Sequence, residues 1–254
     1  MHTQEIGYDS QRRQGVLRAF DETADLMSTP LAERYGTETA DALKREAREE
    51  LEGLVPAIPY MRGGQRARSF NHFLEITAQE LAVFRAMRKR EMPAREVWEI
   101  CHEAIRRRAD QVPLWKRRLI QRLMFSWLVK KVFAKRAQRG EIGRFGDFEV
   151  EYVCGHRREY DFGVDYLRCG NLEFAKKNGG EEFAPYICMS DIALSEAMGW
   201  GLTRTQTLAD GCQYCDFRFK KGAATQISSK TKEVQEAIDI IEAKEAQRAA
   251  RPDM

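Results

Sequence analysis

The chain has 254 residues, of which 43% are hydrophobic and 32% are charged, and its formal net charge is +3. This length can bury a core in one large domain or in two smaller ones. No apolar stretch reaches the roughly 20 uninterrupted residues that a membrane helix needs, so the composition predicts a globular protein without membrane spans.

The N-terminal stretch MHTQEIGYDSQRRQG has charges but no apolar segment after them. It therefore contains neither a recognisable secretory signal nor an acylation motif. We expect a cytoplasmic protein with no membrane partner. In that compartment the six cysteines of the chain are more often thiols, metal ligands or catalytic groups than structural disulfides.

Residues 1–140 are predicted to be helical. One helix begins near Thr37 and stops before Pro56, because proline cannot continue a helix. The segment SFNHFLEITAQELAVFRAMRKREM predicts a second helix capped by Ser69, and PAREVWEICHEAIRRRADQV predicts a third that starts at Pro93.

Residues 85–144 are the most basic part of the chain, with 18 Lys and Arg against 6 Asp and Glu, a local excess of 18 − 6 = +12. Such a segment is typical of a surface for RNA, DNA or acidic lipid. However, its apolar pairs recur at helical spacing, which predicts that they face the core while the basic residues face solvent. These pairs are Leu119/Ile120, Leu123/Met124 and Trp127/Leu128. No nucleic-acid-binding motif accompanies them, so we expect no nucleic-acid partner.

From residue 141 the pattern changes to short alternating segments. DFEVEYVCG, EYDFGVDYLRC, LTRTQTLA and CDFRFKK are predicted strands, whereas GNLEFAKKNG and YICMSDIALSEAMGWG are predicted helices, the second closed by Gly199 and Gly201. A last helix has Ser229 as its predicted cap. The fold class is therefore α+β: a helical region at 1–140, a small antiparallel-sheet α/β domain at 141–225, and a C-terminal helix and tail at 226–254.

Five of the six cysteines fall within 62 residues of the second region, at positions 154, 169, 188, 212 and 215. Cys212 and Cys215 have the CxxC spacing that lets one turn offer two thiolates to zinc or to an iron–sulfur cluster, and Cys169 and Cys188 would complete four soft ligands. A zinc ribbon would have a second CxxC, and a thioredoxin-like motif would open a helix rather than a strand. The alternative is that these cysteines are small buried hydrophobic residues.

Other chemical groups accompany the thiols. Asp191 lies three residues after Cys188 in a predicted helix, so a carboxylate and a thiol would point into one pocket. Alternatively, Asp191 is an exposed first-turn residue stabilised by the helix dipole. Arg204 and Arg218 lie on neighbouring predicted strands and would together bind a substrate carboxylate. The alternative is cross-strand ion pairing of these arginines with Asp216 or with Glu residues.

Several segments resemble the L-2-amino-thiazoline-4-carboxylic acid hydrolase family. DFGVDYLRC, APYICMSDIALSEAMGWGLTRTQTLADG and CDFRFKKG are similar to its C-terminal half, and YGTETADAL, LVPAIPYMRGG and FNHFLEITAQELAVFRAM are similar to its helical N-terminal half. The likeness covers about residues 30–222. It places the following residues on family motif positions: Cys169, Cys188, Asp191, Arg204, Thr207, Gly211, Cys215, Asp216 and Phe217.

The resemblance implies hydrolytic opening of a carboxylated 2-amino-thiazoline ring, with C–S cleavage to an N-carbamoyl-cysteine type product. That chemistry needs a nucleophile, a proton donor and a group that holds the carboxylate. We expect these roles from the following residues: Cys169, Cys188 and Cys215 as metal-binding or nucleophilic thiols, Asp191 as general acid or base, and Arg204, Arg218 and Thr207 as substrate-binding groups.

The expected partner is a small-molecule substrate, and the sequence leaves a homo-oligomer open. The helical region is expected to close one side of the pocket, with Asn71 or His72. The competing class is a non-enzymatic sensor module that binds a metal, an iron–sulfur cluster or a small ligand.

Overall fold

The computed structural model describes residues 10–156 and 159–249. It has the predicted α+β fold, in which six N-terminal helices precede a six-stranded sheet with further helices. The N-terminal helices are α1 (Ser10–Tyr35), α2 (Thr37–Leu54), α3 (Gln65–Arg88), α4 (Ala94–Asp110), α5 (Leu114–Met124) and α6 (Trp127–Gln138). None of these described helices, nor any later one, combines the length and the apolar character needed to cross a membrane.

The helix boundaries that were predicted from prolines agree with the structure. Helix α2 begins at Thr37 and ends at Leu54, and α4 begins directly after Pro93, as predicted. The predicted cap of α3 is wrong. Helix α3 begins four residues earlier, at Gln65, and the Ser69 hydroxyl lies within it and donates a hydrogen bond back to the Gln65 carbonyl.

The strands form one sheet in the order β1-β2-β3-β5-β4-β6. They are β1 (Ile142–Phe145), β2 (Phe148–Val153), β3 (Phe162–Arg168), β4 (Leu202–Arg204), β5 (Cys215–Phe219) and β6 (Gln226–Ile227). All neighbouring pairs are antiparallel except β4 and β6, which are parallel, so the sheet is mixed rather than purely antiparallel. The short strands β1 and β6 were not predicted.

The predicted strand LTRTQTLA is wrong beyond Arg204. The Asp216 carboxylate accepts hydrogen bonds from the backbone N–H groups of Thr205 and Gln206, which removes them from a strand ladder. The hydroxyl of Thr207 then pairs with Asp210 and closes a turn. Side-chain acceptors therefore end the strand where the alternation of threonines predicted that it continues.

Four helices follow β3 along the chain. They are α7 (Gly170–Lys177), α8 (Ala184–Ile187), α9 (Asp191–Met198) and α10 (Lys232–Ala249), with a single 3-10 turn at Cys188–Ser190 between α8 and α9. Gly199 ends α9 with φ of 63°, a left-handed conformation that favours glycine, as predicted. Ser229 does not cap α10. Its hydroxyl accepts the N–H of Thr231 in the turn before the helix.

One continuous hydrophobic core joins the helices to the sheet. Helix α3 is at its centre: Phe70 packs against Phe148 of the sheet with ring centroids 4.6 Å apart, and Phe84 stacks on Phe183 at 4.8 Å. Val234, Ile238 and Ile241 dock α10 onto this core. Since α3 contacts both halves, it is placed to contribute side chains to any cavity between them.

The predicted burial of the apolar residues of α5 and α6 is wrong. Neither helix contains a fully buried residue, and Leu119, Ile120, Leu123, Trp127 and Leu128 are exposed. Five of the six residues predicted to face the core therefore face outward, and the sixth, Met124, is half-buried. On its inner side, α5 contacts the rest of the protein through the Gln121 side chain, which donates to the carbonyl of Gly199.

Candidate active site

A cavity of about 210 Å³ lies where α3 meets the sheet and the α7–α9 segment. Its apolar walls come from side chains such as Phe73, Phe148 and Phe217. Its chemically reactive lining consists of Glu80, Tyr166, Cys169, Cys188, Asp191, Arg204 and Cys215. The structure thus brings together the three predicted thiols, the predicted carboxylate and one of the two predicted arginines.

Each thiol reaches the cavity from the end of an element. Cys169 lies between β3 and α7, Cys188 begins the turn before α9, and Cys215 is the first residue of β5, opposite Tyr166 of β3. Cys212 does not line this cavity. It belongs to the preceding turn, where its N–H donates to the carbonyl of Thr207, so the CxxC pair is divided between a turn and a strand.

The four-cysteine ligand set has no structural support. In the part of the chain that the structure describes, no group of three or more His, Cys, Asp or Glu side chains is arranged to hold a metal ion. The division of Cys212 from Cys215 is consistent with this finding. Zinc or an iron–sulfur cluster therefore stays a sequence-based prediction.

Burial raises the pKa of Cys169, Cys188 and Cys215 to about 12 each. Nearby donors oppose the effect without cancelling it: backbone N–H groups at the start of α7 act on Cys169, and the Arg204 guanidinium acts on Cys188. All three thiols are consequently protonated near neutral pH. In this state they are proton donors and weak nucleophiles, because the thiolate is the nucleophilic form.

Asp191 and Arg204 form a close ion pair at the cavity, with 2.7 Å between the Asp191 Oδ2 and the arginine Nη1. The Arg204 side chain is only 1% exposed and stands over the Phe217 ring at 5.2 Å. The Asp191 side chain retains 38% of its surface because it lines the cavity, although burial raises its pKa and Arg204 opposes that shift. A carboxylate that reaches the cavity and is held by one fixed cation suits a general base.

Glu80 of α3 is a reactive group that the sequence analysis missed. It is 5% exposed, and the Ser190 hydroxyl donates a 2.5 Å hydrogen bond to its carboxyl group. Burial raises the pKa of Glu80 to about 8, and the charge of Asp191 adds to the effect. The sequence did contain a signal for the burial of Glu80. In the helical pattern of α3, Glu80 and Thr77 lie among the apolar residues rather than on a polar face.

Three residues of the cavity lining carry a buried polar atom that has no hydrogen-bond partner among the described residues: Asn171 Oδ1, Trp200 Nε1 and Arg204 Nε. Buried polar groups are normally paired, and each one left unpaired costs about 1–3 kcal/mol. Two unpaired donors and one unpaired acceptor thus lie on side chains of the cavity lining, which is consistent with a site for a polar ligand.

Two predicted substrate-binding residues lie outside the cavity. Alternation along β5 turns Cys215, Phe217 and Phe219 toward it and Arg218 away, where Arg218 pairs with Asp165 at 2.6 Å. Thr207 is buried, and its hydroxyl bonds Asp210 in the turn.

The helical region does close one side of the cavity, through Phe73, Thr77 and Glu80 of α3. Neither residue named for this role from the sequence does so. The Asn71 side chain hydrogen-bonds the backbone of Met61, and His72 lines a second, apolar cavity of about 340 Å³ between the helices.

These features define an α+β protein with a cavity in which an aspartate–arginine ion pair, a buried glutamate and three thiols converge. Residues 38–219 match the family described as L-2-amino-thiazoline-4-carboxylic acid hydrolase. Because the match covers most of the chain and spans α2 to β5, the chain belongs to this family, which confirms the resemblance found in the sequence. Searches of curated proteins and of solved structures gave no significant match.

Proposed function

We propose that the protein hydrolyses a 2-amino-thiazoline ring that bears a carboxylate, breaking the ring C–S bond to give an N-carbamoyl-cysteine type product. The family supports the reaction class. The observation that carries the proposal is the cavity itself, in which a protonated Glu80 and the Asp191–Arg204 pair face one small space.

The unpaired polar atoms fit such a substrate. Arg204 Nε and Trp200 Nε1 are donors, and together they suit the ring carboxylate. Asn171 Oδ1 is an acceptor and suits the exocyclic amino group. A cavity of about 210 Å³ has room for a single five-membered ring with two small substituents.

In the first step, Asp191 removes a proton from water while the water oxygen bonds to the ring carbon between nitrogen and sulfur. The electrons of the C=N bond move to the ring nitrogen, which takes the proton of Glu80. This division of roles follows from the environments. Burial raises the pKa of both carboxyl groups, but only Asp191 has a guanidinium beside it, that of Arg204, which opposes the shift and favours the ionised form.

In the second step, the new hydroxyl returns its proton to Glu80 and becomes a carbonyl. The C–S bond breaks, and the departing sulfur takes the proton held by Asp191. Both carboxyl groups end in their starting states, and one water molecule has been consumed. Cys169, Cys188 and Cys215 surround the reacting sulfur as neutral, polarisable groups in this account and do not attack the substrate.

The test is release of free thiol over time from L-2-amino-thiazoline-4-carboxylic acid by purified protein. We expect thiol release by the wild-type protein, a reduced rate with Glu80→Gln, and the same rate as wild type with Glu242→Gln, which changes a glutamate on α10 remote from the cavity. Folded wild-type protein that binds the compound without releasing thiol would contradict the proposal and favour a small-ligand sensor.

A further inference from the structure

Helix α5 is amphipathic, but its apolar face points to solvent. Trp115, Leu119 and Leu123 follow one another at intervals of four residues, so they share one helix face, and all three are exposed, Trp115 by 63%. The inward contacts are polar: the Gln121 side chain donates to the carbonyl of Gly199, and the Arg117 side chain donates to that of Val112. A surface helix normally turns its apolar stripe to the core.

Helix α6 continues this outward apolar surface. Trp127 is 72% exposed, and Leu128 and Val132 are also exposed. The helix is nevertheless anchored firmly, because the Phe133 ring packs against Tyr152 and Phe162, rings of the sheet. Its apolar residues are thus held outward by a fixed scaffold. The α5–α6 surface is defined here by six residues: Trp115, Leu119, Leu123, Trp127, Leu128 and Val132.

The α5–α6 segment itself carries charge of one sign. Residues 111–140 contain nine Lys and Arg and no Asp or Glu. Three of the nine pair with acidic residues of neighbouring segments: Arg117 with Asp110, Lys130 with Asp161 and Arg136 with Glu141. Six of these basic residues are exposed: Lys116, Arg118, Arg122, Lys131, Lys135 and Arg139. Lys116 and Lys131 stand beside the exposed Trp115 and Trp127 rings, at 5.5 Å and 5.6 Å. The surface therefore combines aliphatic residues, exposed tryptophans and uncompensated positive charge.

We propose that the α5–α6 surface binds the surface of a membrane that contains anionic phospholipid. Aliphatic side chains and tryptophans insert at the level of the lipid headgroups, and flanking Lys and Arg bind the phosphate groups, in the manner of an interfacial amphipathic helix. The protein lies on the bilayer in this arrangement and does not cross it. The inference departs from the sequence-based expectation of no membrane partner. An acidic-lipid surface was set aside there because these apolar residues were predicted to be buried.

Charge complementarity favours this occupant over a second copy of the chain. A symmetric dimer would bring two equally basic segments together without an acidic partner, which is repulsive. Nucleic acid would complement the positive charge, because its phosphates bind cations and its bases stack on aromatic or planar groups. It would leave the exposed aliphatic side chains of Leu119, Leu123, Leu128 and Val132 without an apolar partner.

The experiment is sedimentation of the full chain with vesicles of phosphatidylcholine alone or of equal parts phosphatidylcholine and phosphatidylglycerol. We expect binding to the anionic vesicles, weaker binding as salt is raised, and a blue shift of tryptophan emission. Arg118→Glu/Arg122→Glu should lower the partition coefficient by at least about tenfold. Leu119→Ser/Leu123→Ser, which keeps every charge, should also lower it by at least about tenfold.

The matched control is Arg62→Glu/Arg66→Glu, which makes the same charge change at two exposed arginines outside the surface. Its partition coefficient on anionic vesicles should be at least about tenfold higher than that of Arg118→Glu/Arg122→Glu. Far-ultraviolet circular dichroism checks that all variants are folded. Failure of the wild-type protein to bind anionic vesicles would overturn the proposal, as would equal binding by the two arginine variants. Binding of single-stranded RNA without vesicle binding, or a dimer that Leu119→Ser/Leu123→Ser dissociates, would assign the surface to those partners instead.

Discussion

The cavity and the α5–α6 surface depart from ordinary residue burial in opposite directions. At the cavity, Glu80, Asp191 and Arg204 are polar groups enclosed among phenylalanines and other apolar side chains. On α5 and α6, leucines and tryptophans are exposed among basic residues. Buried polar groups and exposed apolar groups both lower stability. Each region therefore indicates a binding partner: a polar ligand for the cavity, and an anionic membrane surface with an apolar interior for the α5–α6 surface.

The largest effect in this comparison is expected at the ion pair. Asp191→Asn removes the proposed general base and leaves Arg204 without its partner, so thiol release should fall by about 10²–10⁴-fold. The matched control is Asp239→Asn on the exposed side of α10, whose rate should equal that of wild type. Equal rates for the two variants would remove Asp191 from the mechanism.

Truncating apolar side chains should lower the free energy of unfolding strongly in the core and hardly at all on the α5–α6 surface. Phe84→Ala removes a buried ring that stacks on Phe183, and it should lower the free energy of unfolding by about 3–5 kcal/mol. Leu123→Ala removes an exposed side chain and should change it by no more than about 0.5 kcal/mol. Urea denaturation measures both values. A large loss with Leu123→Ala would mean that this residue packs in the core after all.

Glu80 should make stability depend on pH. Its pKa is about 8 in the folded protein and 4.5 ordinarily, so between these values the unfolded chain releases a proton that the folded protein keeps. The free energy of unfolding should therefore fall as pH rises from 4.5 to 8, by roughly 4 kcal/mol from this group.

Glu80→Gln retains the acceptor for Ser190 but cannot ionise, so its unfolding free energy should be flatter over the same range. Denaturation curves at several pH values compare the two proteins. An identical pH dependence in the variant would show that another group is responsible.

The smallest effects should distinguish the cysteines. Cys188→Ser alters the cavity lining without removing a nucleophile, so thiol release should fall by about tenfold or less, the cost of replacing one buried polarisable group by a hydroxyl. Cys212→Ser changes a turn residue outside the cavity and should leave the rate unchanged. Complete loss with Cys188→Ser would instead favour a nucleophilic thiol, as the sequence analysis proposed.

Features with local causes were predictable from the sequence. Proline sets the start of α4, glycine ends α9, and the spacing of Cys188 and Asp191 places both at one cavity. Features set by distant contacts were not. Glu80 is buried against Ser190, 110 residues away along the chain.

The orientation of α5 also follows from a distant contact, that of Gln121 with Gly199. Periodicity located the apolar stripe of this helix correctly, but it contains no information about which face the rest of the protein covers. The same limit applies to β4, which ends because Asp216 of a later strand binds the backbone after Arg204.

The central claim is that water opens the ring in this cavity, and isotope labelling tests it most directly. The protein is incubated with L-2-amino-thiazoline-4-carboxylic acid in water labelled with heavy oxygen, beside Asp191→Asn, and the product is examined by mass spectrometry. The account predicts N-carbamoyl-cysteine with one heavy oxygen in its carbamoyl group from the wild-type protein and almost none from the variant. Unlabelled product, or equal labelled product from both proteins, would contradict it.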